Sequence, residues 1–356
     1  MMAVLIVALS TNAVAAESNV TIYGVADVAY VNERGGSAGN VSKITSGASS
    51  YSRIGFRGNE DLGNGVSAIF TLENGNRMDT GEVDAAGTIF NRQAFVGLKT
   101  PAGTLTLGRQ YTPWHSTLSQ VADPFLTGYA GTSKNLFPDS GNNVRTSNTI
   151  LYSAPTISGL SGSLAYSFGE QAASAKTGRQ MGASIGYTLG KLAVRFGYNN
   201  RNNDIASAPG VTAVTRGTST NKMLAANYDF GIVKLHGAYN KDSGFNSSPL
   251  PNANNPYGGV KPTASTDSNV ILLGLSAPVP GGIVMASVMR KNDETQFNQD
   301  ARAWGVAYEY ALSKRSAVYT SYGAVNNENG AGYTAGNNSE PGSGDRQFNV
   351  GIRHTF

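Results

Sequence analysis

The 356-residue sequence contains no cysteine. That excludes a disulfide framework, thiolate metal sites and cysteine nucleophiles together. Charge is scarce as well: Asp, Glu, Lys and Arg make up 14% of the chain, and hydrophobic residues reach only 40%. A soluble protein this poor in charge ordinarily compensates with a richer apolar core. Disorder requires few aromatics and a high net charge, whereas 17 Tyr and 13 Phe accompany a net charge of +4 here. The basic residues form no dense run of the kind that marks a nucleic-acid patch, so no nucleic-acid partner is expected. Beyond the N-terminus no stretch approaches the ~18 apolar residues of a transmembrane helix. The only histidines are His115, His236 and His354. None sits in a His-Glu-x-x-His, Gly-x-Ser-x-Gly or phosphate-loop pattern, so neither enzymatic chemistry nor a cofactor or metal is expected. The Glu60-Asp61 pair falls in a hairpin turn, where solvation is the simpler role.

Glycine is abundant, at 44 residues, and short alternating runs fill the chain. The N-terminus reads Met1-Met2-Ala3-Val4-Leu5-Ile6-Val7-Ala8-Leu9 and then Ser10 to Ala16 in mostly small residues. This fits a secretory signal peptide over residues 1–16, leaving residues 17–356 as one domain. From Val20 onward, runs of alternating parity end in Gly, Asn, Asp, Pro or Ser, the signature of strands. The runs are 20–31, 51–58, 66–74, 90–99, 104–110, 147–153, 162–168, 181–188, 191–199, 222–229, 232–240, 269–276, 283–290, 302–310, 316–324 and 346–356. Many approach the ~9–11 residues of a tilted strand crossing a bilayer.

The connections alternate in length. Tight turns such as Gly63-Asn64-Gly65, Pro101-Ala102-Gly103 and Leu189-Gly190 alternate with long polar segments, among them 32–49, 75–89, 111–146 and 241–268. Up-and-down membrane barrels sort their loops in this way, short on one side and long on the other. The expected fold is therefore all-β: a transmembrane antiparallel up-and-down barrel of about sixteen strands. Alternation also assigns faces. In the last run Phe348, Val350, Ile352 and Phe356 share one parity, and Gln347, Asn349, Gly351, Arg353 and Thr355 the other. Tyr308, Tyr310, Tyr319, Tyr322 and Phe356 are expected to form interface girdles. Arg53 and Arg57 lie opposite Ile54 and Phe56 and so face the lumen. Arg92 shares its parity with Ala94, Val96 and Leu98, which leaves its direction open.

The segments Ser18 to Gly24, Ser52 to Gly65, Phe90 to Lys99, Thr106 to Gln110 and Val350 to Phe356 resemble the general porins of Gram-negative bacteria, in particular a trimeric, often anion-preferring branch. The resemblance covers essentially the whole mature chain. It implies a homotrimer in the outer membrane, in contact with outer-membrane lipid and lipopolysaccharide. The activity implied is diffusion of ions and small hydrophilic solutes through a water-filled channel with a mild anion preference. A channel specific for an organic acid or another anion is the alternative. The resemblance also implies that the third loop, Tyr111 to Thr146, folds inward. Arg53, Arg92 and Arg145 would then form a basic constriction wall, with Arg57 and Arg109 as neighbours and Asp123 and Asp139 on the acidic loop side. It places Phe95 outward and thereby turns Arg92 inward.

Overall fold

The computed structural model describes residues 19–36, 39–172, 174–245, 265–336 and 344–356. The expected signal peptide at residues 1–16 lies outside the described residues. Among the described residues, seventeen strands form one sheet: β1 (Asn19–Gly36), β2 (Gly39–Ser46), β3 (Arg53–Gly63), β4 (Val66–Gly75), β5 (Gln93–Thr100), β6 (Gly103–Tyr111), β7 (Arg145–Ser153), β8 (Leu160–Ser167) and β9 (Gln180–Leu189). It continues with β10 (Leu192–Asn202), β11 (Thr218–Asp229), β12 (Lys234–Ser243), β13 (Asp267–Val279), β14 (Gly282–Asp293), β15 (Ala301–Ala311), β16 (Ser316–Asn327) and β17 (Arg346–Thr355). Each pairs antiparallel with its neighbours, and β17 closes on β1 from Val25↔Thr355 to Arg34↔Arg346.

Two of these strands share one place in the ring. On its other side β1 pairs with β2 at its upper end (Val28↔Ser46) and with β3 at its lower end (Val25↔Arg53). The wall is thus a closed sixteen-strand barrel in which one strand is interrupted at residues 47–52. The break is filled by the Asp27 side chain, which accepts hydrogen bonds from the Ser49 and Ser50 N–H groups and, at 2.7 Å, from the Tyr319 hydroxyl. Closure matters because backbone groups in lipid have no water to bond, and a ring has no free edge.

The first long connection is a correction to the sequence reading. Instead of a loop over 32–49, β1 runs on to Gly36 and β2 returns in register, with Gly35 and Gly39 at φ +77° and +78°. Beyond the outward pair Tyr30 and Ile44, the outward residues toward the tip of this hairpin are hydrophilic, with Asn32 donating to Ser42 at 3.0 Å. Toward its tip the hairpin is hydrophilic outside, so no apolar alternation extends there to read.

Along β15, Trp304, Val306 and Tyr310 are exposed on the outer surface while Ala303, Gly305 and Ala307 are buried inside. In β17, Phe348, Val350 and Ile352 face out and Gln347 and Asn349 are buried. The apolar outside thus faces lipid and the polar inside faces the lumen. Tyr319 departs from the girdle expected for it. It is 2% exposed, on the inward parity with Ser321, and its ring meets Tyr129 edge-on.

Between β6 and β7, residues 112–144 lie against the inner wall. The Thr112 hydroxyl caps a short helix, α1 (Pro113–Thr117), by accepting from the His115 N–H, and Pro113 supplies a ready φ at the first turn. Trp114 is fully buried and donates through Nε1 to Asn240, while Trp114, Leu118, Leu136 and Phe137 pack with Met223, Val270, Leu272 and Met289 of β11, β13 and β14. Further on, the segment's backbone touches the wall directly. Gly131 sits against Gly305 and Gly323, where an added Cβ on Gly323 would stand 2.3 Å from the Gly131 nitrogen. Ala130 N–H donates to Ser321, and Ser287 donates to the Gly131 carbonyl.

Candidate functional site: a basic wall facing the inner segment

Arg53 opens β3 on its lumen face. On the neighbouring β4, Glu73, the register partner of Gly55, is also inward and 4% exposed. The Glu73 carboxylate stands 3.7 Å from Arg53 Nε and accepts from Arg92 Nε at 2.7 Å and from the Tyr23 hydroxyl at 2.9 Å. Arg92 also donates to the Tyr111 hydroxyl at 2.8 Å, and Arg145 donates to the same oxygen at 2.8 Å while its guanidinium lies over the Tyr111 ring. The Tyr111 ring stacks on His115, whose Nδ1 meets Asp139 at 2.6 Å. One continuous chain of contacts therefore links the wall to the inner segment.

Arg92 is buried, but not for the reason the resemblance implies. Phe95 faces the lumen, beside Gln93, Thr106 and Pro113, while Val96 and Leu98 are exposed outside at 57% and 47%. Arg92 precedes β5, which begins at Gln93, so the parity of that strand does not govern it. Its own N–H instead bonds the Glu73 carbonyl, and its side chain follows inward.

Arg53, Arg92, Arg109, Arg145 and Lys134 all border one open cavity of ≈ 640 Å³, together with Asp84 and Asp139. Arg109 is brought there by a bulge in β6 between Gly108 and Gln110, and donates to the Asn91 carbonyl and the Ser147 hydroxyl. Lys134 lies 4.2 Å from the centre of the Tyr51 ring. Arg57 is inward but lies over the Tyr23 ring, apart from the cavity walls. Asp123 is 1% exposed, and its carboxylate accepts from the Phe125, Thr127 and Ser133 N–H groups and from the Thr132 hydroxyl. That carboxylate holds the fold of its own segment, whereas Asp139 borders the cavity. Burial alone would push Asp139 up, yet the His115 ring, with Lys134 and Arg145, holds its carboxyl below the ordinary range.

Sequence reasoning missed Glu73, Asp84 and Lys134. Glu73 had a readable signal, since it is the one carboxylate on the inward parity of β4. The other two lie in loops, where no period applies. His236 is a lumen residue against the segment, its Nδ1 3.1 Å from the Val121 carbonyl.

A closed barrel with an apolar outside, a polar inside and a chain segment packed against its inner wall is a transmembrane pore. The chain matches the Gram-negative porin family over residues 3–330 and belongs to it. Outer membrane porin protein 32 of Delftia acidovorans is 30% identical over 376 aligned positions, spanning 99% of this chain and 98% of that protein. An outer membrane porin protein of Bordetella pertussis is 30% identical over 348 positions, spanning 87% and 89%. Among solved structures, the anion-selective porin from Comamonas acidovorans has a TM-score of 0.75 at 27% identity, over 96% of this chain and 100% of that one. Salmonella typhi OmpF, at 18% identity and a TM-score of 0.69, shares the fold. The protein is thus an outer-membrane porin of a Gram-negative bacterium, a diffusion channel for small hydrophilic solutes.

Proposed function

We propose that this porin prefers anions and that the preference arises where residues 112–144 face Arg53, Arg92, Arg109 and Arg145. The observation that carries the reading is the charge count around the cavity. Five cations stand against three carboxylates, with Glu73 counted behind Arg92. A narrow water-filled passage with low-dielectric walls focuses the field of such groups, so a small excess of one sign biases which ions enter. Arginine suits the role because it stays charged at any relevant pH and is weakly hydrated, so it touches an anion and releases it. The anion selectivity of the Comamonas porin, 27% identical to this chain, supports the same sign.

The test is Arg53→Gln, Arg92→Gln and Arg145→Gln together, read as reversal potential in a salt gradient across a planar bilayer. The potential moves toward cations while conductance changes less. Screening adds a second signature, because the Debye length shrinks from ~10 Å at 0.1 M salt to ~3 Å at 1 M. Parent and variant therefore differ most in dilute salt. An unchanged reversal potential there overturns the assignment of these residues. The assembly we propose is a homotrimer, with the second loop, residues 75–89, reaching into a neighbour. A species migrating as a monomer in mild detergent without heating overturns it.

A further inference from the structure

Apolar side chains that point into the lumen from β11, β13 and β14 lie under the inner segment, where Met223, Val270, Leu272 and Met289 meet Trp114, Leu118, Leu136 and Phe137. Ile69 of β4, Phe95 of β5 and Leu151 of β7 have no such cover. All three take the inward parity of their strands, remain partly exposed, and wall an open cavity of ≈ 420 Å³. Apolar surface left in water costs free energy, and inside a cavity it marks a place for a ligand. Pro113, Ser116 and Gln120 of the inner segment form one side of the cavity. Thr104, just past the start of β6, and Ser153, at the end of β7, put it on the side of the short turns.

The polar groups around this apolar wall are hydroxyls and amides. Ser161 and Ser163 of β8 and Ser184 of β9 face in, with the Ser163 and Ser184 hydroxyls 2.8 Å apart. Among the described residues, the polar groups of Gln93, Thr104 and Ser153 have no protein partner. A single charged residue borders the cavity among the described residues, Arg195 of β10, and it donates to Gln120 Oε1 at 2.7 Å. A carboxylate or phosphate only accepts hydrogen bonds, so a site for one gathers cations and N–H donors, as the wall of Arg53, Arg92 and Arg145 does. Hydroxyls and amides both donate and accept. They match a ligand whose own groups do both.

We propose that this cavity is a binding station for a neutral sugar, one pyranose ring laid against Phe95 with its hydroxyls on Gln93, Thr104 and Ser153. The faces of a pyranose carry C–H groups, whose slightly positive hydrogens suit the negative face of an aromatic ring, while its hydroxyls project from the edge. An open-chain polyol has the same hydroxyls but no rigid face to lay on Phe95. The cavity shares Tyr111, Ser116 and Gln120 with the one bordered by the arginines, so a solute that has passed the basic wall meets this site next. Its hold is loose, because every hydrogen bond exchanges with water, and a channel site must release what it binds. The ligand is uncharged, so the inference does not rest on the ion preference of the pore.

The experiment records ion current through the parent channel in a planar bilayer while D-glucose is added to both sides. Glucose lowers the current along a saturating curve. Sorbitol, with its hydroxyls on an open chain, lowers it only in proportion to the conductivity of the solution. Phe95→Leu keeps an apolar side chain but loses the ring, and raises the half-saturating glucose concentration about fivefold, the worth of one aromatic contact. Thr104→Val with Ser153→Ala leaves Phe95 in place, removes two hydroxyls and raises it by at least about fivefold. Each variant is scored as an inserted, conducting channel, so a folding failure is not read as lost binding. The proposal fails if glucose and sorbitol act alike on the parent, a comparison that needs no variant to fold. It fails if either variant holds glucose within about twofold of the parent. It also fails if sodium benzoate displaces glucose at concentrations well below those at which glucose saturates, because the cavity is then a site for aromatic carboxylates.

Discussion

Replacing Glu73 by Gln should move stability and selectivity in opposite directions. The carboxylate is 5% exposed and holds Arg92, 6% exposed, and Arg53, 25% exposed. Removing one partner from a buried ion pair typically costs ~3–5 kcal/mol, because the remaining charge stays desolvated. The lower end, about 3 kcal/mol, applies here, since Arg92 keeps its bond to Tyr111 and Arg53 is partly solvated. At the same time the cavity changes from five cations against three carboxylates to five against two. An ion passing about 8 Å away through water gains or loses about 0.5 kcal/mol from one charge. That is roughly a twofold rise in anion occupancy and a similar fall for cations in dilute salt. Urea unfolding in lipid vesicles reads the first effect and the reversal potential reads the second. Adding Arg92→Gln should restore part of the stability, because the double variant leaves no orphaned charge. A stability loss under about 0.5 kcal/mol, the error expected for unrelated sites, would refute the pairing argument. A shift of reversal potential toward cations would refute the sign of the field.

Trp114→Phe keeps most of the ring but loses the bond to Asn240, for about 1 kcal/mol. Trp114→Ala empties a fully buried site and costs about 3–5 kcal/mol, with residues 112–144 becoming open to protease nicking. Gly323→Val drives a side chain into the Gly131 backbone, so the inner segment should leave the wall and single-channel conductance should change, with an overpacking cost of about 1–3 kcal/mol. The Asp139 carboxyl, held below its ordinary value of 3.8, stabilises the segment fully above that pH and loses the contribution as pH falls through its lower folded value. Closure events in single-channel recordings should therefore rise only in strong acid, and Asp139→Asn should abolish that dependence.

The sequence by itself determined the sixteen wall positions, the loop asymmetry, and the inward direction of Arg53 and Arg57. Each of these follows from local chemistry. A strand between lipid and water must alternate, and a two-residue turn must carry residues that tolerate positive φ, as Asn64 does at +53°. Tertiary structure decided whatever joined distant residues or fell where the ladder breaks. Arg92 turns inward because it lies just outside β5, and Phe95 turns inward because it lies within it. Tyr319 left the lipid face to reach Asp27, 292 residues away in the chain. Glu73 became the partner of Arg53 and Arg92 only once β3, β4 and the approach to β5 lay side by side. Residues 112–144 found the inner wall through Trp114 and through glycines at 131, 305 and 323, whose closeness no local period encodes. Period-two alternation reports which face a residue takes while hydrogen-bonded pairing continues. It says nothing of what stands across the lumen, and there protein or water can meet the same side chain.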